Sequence, residues 1–583
     1  MATSLGSVPY HYYLIISTAK SIMNLRLFIV TILLLIVACT RYDYDVVISN
    51  GTLYDGTGSP GIVTNIAIKD DRIVHIGDID PTLKIRTTID ATDMAVTPGF
   101  INMLSWANEN LIADGRSMSD IKQGVTLEIF GEGTSMGPLT PDAAERRRLQ
   151  NKEQGLPGSW VTLGEYLEFL ERKGVSTNVA SFVGASTVRR NVLGDDNIAP
   201  DADQLEEMRA LVRVAMQEGA MGLGTALIYT PGTFASTEEL IALSEIVSEY
   251  DGLYISHIRS EGDRFEEAVQ ELIRIAREAN VRAEVHHLKA AGQDNWNKLD
   301  NVIGLIEDAR AQGLHVTTNM YNYPAAATSF TAIMPSWVQE GGRAAWIERL
   351  KDPEIRSRVK AEIAAPSDEF ENFYVMAGSP DRIITVGFQN PELRHYTGRS
   401  LASIAEERGT DPIDTAIDLI IEDNSSVGVV YFLMSEENVR RQIALPWMSF
   451  GSDSGSMANE GDFLRRNPHP RAYGNFARLL GKYVRDEQII PMEEAIFKLT
   501  GLPASNLKIR DRGLLKSGYF ADIVVFDPAT IQDHATFENP HQYATGVKHV
   551  FVNGVQVLRN GEHTNKMPGR FVRGPGFYKA NPL

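Results

Sequence analysis

The chain of 583 residues carries 75 acidic against 56 basic side chains, a formal charge of −19 at pH 7, and so lacks the basic face that neutralises a phosphate backbone. This balance argues against a nucleic-acid partner. Hydrophobic residues make up 43% and charged residues 22%, while 48 Gly and 26 Pro follow no period, which excludes collagen-like, disordered and multi-spanning membrane chains. At about 100–200 residues per domain, the length accommodates several domains or one α/β barrel with insertions.

The single cysteine, Cys39, rules out an internal disulfide framework or a Cys-rich metal knuckle. Ahead of it stand Asn24, Leu25 and Arg26, then an apolar run of 12 residues, Leu27 to Ala38, broken only by Thr31. That run is too short to span a bilayer, which takes about 20 residues, but has the length of a signal-peptide core. With the small Ala38 before Cys39, it resembles a bacterial lipobox. The resemblance implies removal of residues 1–38 and a lipid on Cys39. Thr40, in place of Asp, points to the outer membrane, facing the periplasm. Met23 is then expected to be the true start, with residues 1–22 ahead of it.

After the acidic tether Tyr42-Asp43-Tyr44-Asp45, residues 39–97 alternate apolar and polar positions between turns at Asn50-Gly51, Asp55-Gly56 and Asp70-Asp71, the pattern of hairpin strands. A second such block closes the chain, in GYFADIVVFDP and HVFVNGVQVLRNGEH, within residues 509–583. Neither block makes a sizeable sheet alone, so one small β-sandwich built from both ends is expected, with residues 98–508 inserted between them. That middle alternates strands and amphipathic helices. Its clearest unit runs from LYISHIRSEGD through a helix with Phe265, Val269, Leu272, Ile273, Ile275 and Ala276 on one face, to RAEVHHLKAAG. Repeated βα units of this kind predict an α/β fold, a (β/α)₈ TIM-like barrel with its chemistry at the C-terminal strand ends. Residues 328–399 break the rhythm and are expected to form a lid-like insertion.

His257 and His287, 30 residues apart, fall at the ends of successive strands, so both imidazoles reach one barrel mouth as two corners of a zinc site. Strand alternation groups His287 with Val285 and Lys289 and turns His286 away. Glu132, in GEG after an apolar strand, is the candidate third ligand, because flanking glycines let the backbone turn tightly. Glu128, of the same parity, competes with it. Asp453, in FGSDSG after another strand, is placed for general acid–base work. Arg471, stiffened with His469 by Pro468 and Pro470, suits a clamp for a substrate carboxylate, or a partner for a structural acid.

Taken together, ISHIRSEGD, EVHHLKAAG, FGSDSG, HPRAYGNFARLLGKYV, KLTGLPASNLKIRDRG and GYFADIVVFDP resemble the D-aminoacylase (N-acyl-D-amino-acid deacylase) branch of the amidohydrolase superfamily. The resemblance implies that His257 and His287 bind zinc, that Asp453 is the catalytic acid/base and that Arg471 holds the substrate carboxylate. It also implies that Lys289 and Tyr229 line the pocket. The chain departs from the family where a His-x-His pair is usual, reading GFINMLSW with Leu104 and Trp106 at those positions. A cysteine ligand is replaced by the shortened GEG turn, which leaves Glu132 nearest.

These residues lead to one expectation: a lipid-anchored hydrolase with one zinc per chain, held by Glu132, His257 and His287, that cleaves an acylated amino acid. Two alternatives stay open at this point. One is a catalytically inactive barrel that binds a peptide or cell-wall fragment through Trp106 and the lid. The other is a zinc dipeptidase or cyclic amidase.

Overall fold

The computed structural model describes Met1 and residues 42–582, apart from residues 157 and 368. Cys39 and its apolar run therefore lie outside the described residues. Among the described residues, no helix is long and apolar enough to cross a membrane.

Both ends of the chain join in one nine-stranded sheet. The join is antiparallel, Ala95–Pro98 pairing with Ile523–Phe526. Each side alone leaves its apolar face uncovered. Together Ile48, Ile66, Ile68 and Val96 from the N-terminal side pack with Ile523, Val525 and Phe551 from the C-terminal side. The far edge strand, Arg72–Ile76, exchanges hydrogen bonds with the segment entering the C-terminal strands: Ile73 N–H to Tyr519 O (2.9 Å) and Gly518 N–H to Ile73 O (2.8 Å). The sheet thus rolls back on itself as a small sandwich.

Between these halves lies a closed barrel of eight parallel strands: Phe100–Asn102, Val125–Phe130, Asn178–Ser181 continuing as Val183–Gly184, Gly222–Ala226, Leu253–His257, Arg282–Val285, Val316–Met320 and Met448–Phe450. The last strand returns to the first through Met103 N–H to Phe450 O (3.1 Å) and a parallel bridge between Ser105 and Ser454. The helix Phe265–Glu278 shows why the outer layer forms: the stripe expected from its spacing is buried against the strands. Each large apolar side chain so removed from water contributes about 1.5–3 kcal/mol.

Two boundaries differ from those read in the sequence. The insertion takes up most of the connection between the last two strands, residues 321–434, rather than 328–399, and the helix Glu436–Ile443 that follows returns Val439 and Ile443 to the barrel core. Its later elements, Leu401–Arg408, Pro412–Asp423 and Gly428–Tyr431, carry the periodicity of a barrel unit, yet pack into a core of their own with Phe330, Trp346 and Leu350. Gly428–Tyr431 pairs antiparallel with Ala326–Ser329 and Ile383–Gly387, which a barrel strand does not do. The chain end also leaves the sandwich after Glu562–His563. It returns to the barrel through Gly569 N–H to Val175 O (2.8 Å) and Val572 N–H to Val179 O (2.9 Å), so the chain from Gly569 onward packs on the barrel wall.

Candidate active site

Glu132, His257 and His287 each present a ligand atom such that all three lie within 4.8 Å of one another, at the C-terminal ends of three different strands. Glu132 Oε1 is 3.1 Å from His257 Nδ1 and 2.9 Å from His287 Nε2. Its position depends on the glycines beside it. Gly131 and Gly133 have φ of 104° and 65°, and a Cβ on Gly131 would fall 2.3 Å from the carbonyl oxygen of Phe182. Only glycine adopts that backbone so close to the next strand.

The strand carrying His287 ends at Val285, so His287 stands in the turn beyond it with φ of 33° rather than on an alternating strand face. Its backbone N–H donates to Asn319 Oδ1 (2.8 Å), which fixes the turn. His286 is buried away from the triad, its Nδ1 3.3 Å from Asn319 Nδ2, and burial holds it down at about 3. Glu128 is buried below the mouth and accepts hydrogen bonds from the hydroxyls of Ser105, Ser117 and Thr177. Burial, with Asp120 nearby, pushes its carboxyl well above the usual range, and its three hydroxyl partners make it a structural residue.

Behind the two histidines sits Glu261, 1% exposed, four residues after His257. One of its oxygens is 3.0 Å from His287 Nδ1 and the other 3.7 Å from His257 Nε2. These are the ring nitrogens that do not face Glu132. A single carboxylate therefore faces the outer nitrogen of both imidazoles, the arrangement that orients metal-binding histidines. Lys289 Nζ donates to Glu261 and lies 2.8 Å from His287 Nδ1. The insertion holds this loop in turn: Glu371 accepts from Ser260 Oγ (2.8 Å), Glu261 N–H (2.7 Å) and Gly262 N–H (3.0 Å).

The electrostatics recruit positive charge. Burial opposes ionisation of Glu132, but His287 and His257 outweigh it and hold its carboxyl well below the usual range. Burial and Lys289 oppose a charge on His287, yet Glu132 and Glu261 push it up to about 9. A divalent cation at this point satisfies the same carboxylates, and the two imidazoles plus one carboxylate are an ordinary zinc donor set.

Across the mouth, Asp453 adopts φ of 48°, a left-handed conformation that costs a non-glycine residue about 1–3 kcal/mol and marks a position held by its surroundings. Its N–H donates to Leu104 O (2.8 Å), and its Oδ2 pairs with Arg471 NH1 at 2.8 Å. Burial raises its carboxyl against the pull of Arg471. The guanidinium lies 4.2 Å over the ring of Tyr321, and NH2 donates to Ala327 O (3.3 Å). His469 accepts the backbone N–H of Arg471 at Nδ1 (3.0 Å) and faces Ala325 O through Nε2, and burial keeps it neutral. Tyr229 lies edge-on to His257, with its hydroxyl 2.7 Å from Thr328 Oγ1. All of these groups line one cavity of about 770 Å³.

Residues 171–558 match the model of the amidohydrolase family. The D-aminoacylase of Alcaligenes xylosoxydans xylosoxydans is 33% identical over 530 residues, which is 91% of this chain and 97% of that protein. The chain belongs to the amidohydrolase family. Among solved structures, the N-acyl-D-glutamate deacylase of Bordetella bronchiseptica, complexed with zinc and a phosphonate mimic of the tetrahedral intermediate, superposes with a TM-score of 0.75 at 29% identity. The match covers 91% of this chain and 99% of that one. A D-aminoacylase whose binuclear centre is described as activated by one metal and attenuated by a second gives 0.74 at 32% identity, covering 91% and 100%.

This amidohydrolase is thus a metal-dependent hydrolase of carbon–nitrogen bonds other than peptide bonds. Its structure brings together the residues singled out in the sequence: Glu132, His257, His287, Asp453, Arg471, Lys289 and Tyr229 all line the cavity. Two contributors were not singled out there, and a third has a different role. Glu261 lies inside the ISHIRSEGD motif, and its position one helical turn's worth of residues after His257 was the available signal. Tyr321 directly follows a barrel strand, a place from which side chains reach the mouth. Trp106 was read as an apolar replacement for a ligand, but its indole N–H contacts both Glu132 and Asp453.

Proposed function

We propose that this amidohydrolase is a mononuclear zinc N-acyl-D-amino-acid deacylase, which releases a carboxylate and a D-amino acid. The observation that carries the reading is the pairing of Asp453 with Arg471 on the wall of the cavity that also holds the Glu132–His257–His287 cluster, with Asp453 and Glu132 both within reach of the Trp106 indole N–H. An acid/base group and a guanidinium suited to a carboxylate therefore share one end of the site. The relatives described above act on, or are named for, acylated D-amino acids, which supports the same substrate class.

A carboxylate oxygen of Glu132, His257 Nδ1 and His287 Nε2 would hold the zinc at the cavity wall. When bound, zinc polarises the scissile carbonyl and lowers the pKa of the attacking water. Glu261 orients the His287 imidazole through its oxygen 3.0 Å from Nδ1, and its other oxygen faces His257 Nε2 at 3.7 Å without a hydrogen bond. Asp453 takes the proton released as water attacks and delivers it to the departing nitrogen, which leaves as an amine rather than as an unstable anion. Burial raises its carboxyl above the ordinary aspartate range, which favours its taking up the proton. Arg471 sets the distance between the substrate carboxylate and Asp453. The cavity has room for an acyl chain along Tyr229, Thr328 and Phe373.

The test varies substrate and arginine together. Acylated D-amino acids are expected to be hydrolysed and their L-enantiomers not. Arg471→Lys keeps the charge but loses the planar fork, so KM for an acyl-D-amino acid is expected to rise at least about tenfold. An amide-capped substrate is expected to lose far less. Equal damage to both substrates in steady-state kinetics would make Arg471 a support for Asp453 alone and leave the substrate class open.

We further propose that Cys39 carries a lipid that anchors the enzyme in the bacterial cell envelope, at the periplasmic face of the outer membrane. The apolar run and Ala38 before Cys39 support this. Cys39→Ser is expected to move the protein out of the membrane fraction or leave it unprocessed, as read by intact mass and fractionation. An unchanged membrane fraction would sink the proposal.

A further inference from the structure

Every oxygen of the two carboxylates at the mouth has an identified neighbour, and the neighbours divide in an informative way. Glu132 Oε1 faces both imidazoles, and Asp453 Oδ2 faces Arg471. The remaining oxygens, Glu132 Oε2 and Asp453 Oδ1, both accept from one group, the indole Nε1–H of Trp106, at 3.0 and 3.1 Å. The first and last barrel strands place it there: Trp106 N–H donates to Ser454 O (2.9 Å), while Asp453 N–H donates to Leu104 O (2.8 Å). The ring itself forms part of the cavity wall and is 37% exposed, so packing alone does not explain a tryptophan here.

From this we infer that Trp106 is a positioning residue: its shared N–H ties the cluster's carboxylate to the acid/base carboxylate and holds Asp453 at a set distance from the reaction centre. Two carboxylates facing one another repel, and an unshielded Asp453 turns away from Glu132. A neutral donor between them removes the repulsion locally without adding charge, so Asp453 remains free to gain and lose a proton. The mutual fixation of both ends gives Asp453 one productive rotamer. Phenylalanine fills much of the same volume but has no donor, and so separates the N–H from the ring.

This inference rests on the deacylase reading for its kinetic arm only. In Trp106→Phe, zinc content is expected to stay near that of the unsubstituted enzyme, because the three ligands are untouched. kcat is expected to fall about 10- to 100-fold, the range of a lost hydrogen bond to a charged group, with KM changed less than about threefold. The second arm needs no turnover. In the full chain labelled with ¹⁵N at its six tryptophans, the Trp106 indole N–H signal, identified by its loss in Trp106→Phe, is expected to shift in Asp453→Asn. An indole signal unmoved by Asp453→Asn, or a kcat unchanged in a Trp106→Phe enzyme that retains its zinc, would overturn the inference. If no acylated amino acid is hydrolysed by the unsubstituted enzyme, the deacylase reading fails while the indole signal still decides the contact.

Discussion

His287→Ala and His257→Ala are each expected to reduce bound zinc to below about a tenth of that in the unsubstituted enzyme, and hydrolysis to background. Each removes one of the three ligands proposed for the metal, and a site built from three donors has no spare. The change also leaves carboxylates uncompensated. Without His287, Glu132 and Glu261 face each other's charge in a buried site, and Glu261 keeps only Lys289 as a close cation. His287→Ala is therefore expected to lower stability as well, whereas His257→Ala is expected to act mainly on the metal, because His257 Nε2 makes no hydrogen bond of its own. Elemental analysis and thermal unfolding, measured on the same samples, separate these effects. Full zinc retention in either variant would refute the ligand set.

The second large effect is expected from Asp453→Asn. The amide keeps the shape of the side chain but has one acceptor oxygen in place of two, so it keeps only one of the contacts to Trp106 and Arg471, and it cannot shuttle a proton. kcat is expected to fall by about 10²–10⁴-fold with little change in KM, the signature of a group needed only in the transition state. Zinc content should be unchanged, since Asp453 Oδ1 and Oδ2 are committed to Trp106 and Arg471 rather than to the cluster. Loss of zinc in Asp453→Asn would move this residue into the ligand set. A fall in kcat of less than tenfold would move the proton transfer to another group.

Much of this site was legible because the residues that build it are local. His257 ends one strand and His287 stands in the turn just past the next, so their spacing in the chain translates directly into neighbouring places at the mouth. Glu132 announced itself through two glycines whose positive φ a turn demands. The alternation argument for His287 reached the right residue for a reason that the turn geometry replaces, since the strand stops two residues earlier. The insertion was read too short because its last helices and strand have the same apolar periodicity as barrel units. Periodicity reports that a face is buried, and does not say against which core.

By itself, the sequence determined the class of fold, the two-ended sandwich, the donor types of the cluster and the acid–guanidinium pair, all of which follow from local pattern and residue chemistry. The tertiary structure alone decided which groups meet. Glu261 faces both histidines, within hydrogen-bond reach of His287 alone, because two adjacent strands end at the same height, and Glu371 reaches that loop from 110 residues away in the insertion. Trp106 spans to Asp453 across 347 residues because the barrel closes between its first and last strands. An indole reads as an apolar surface in a sequence. Its single N–H becomes functional only where the fold brings two carboxylate oxygens within hydrogen-bond reach of that one atom.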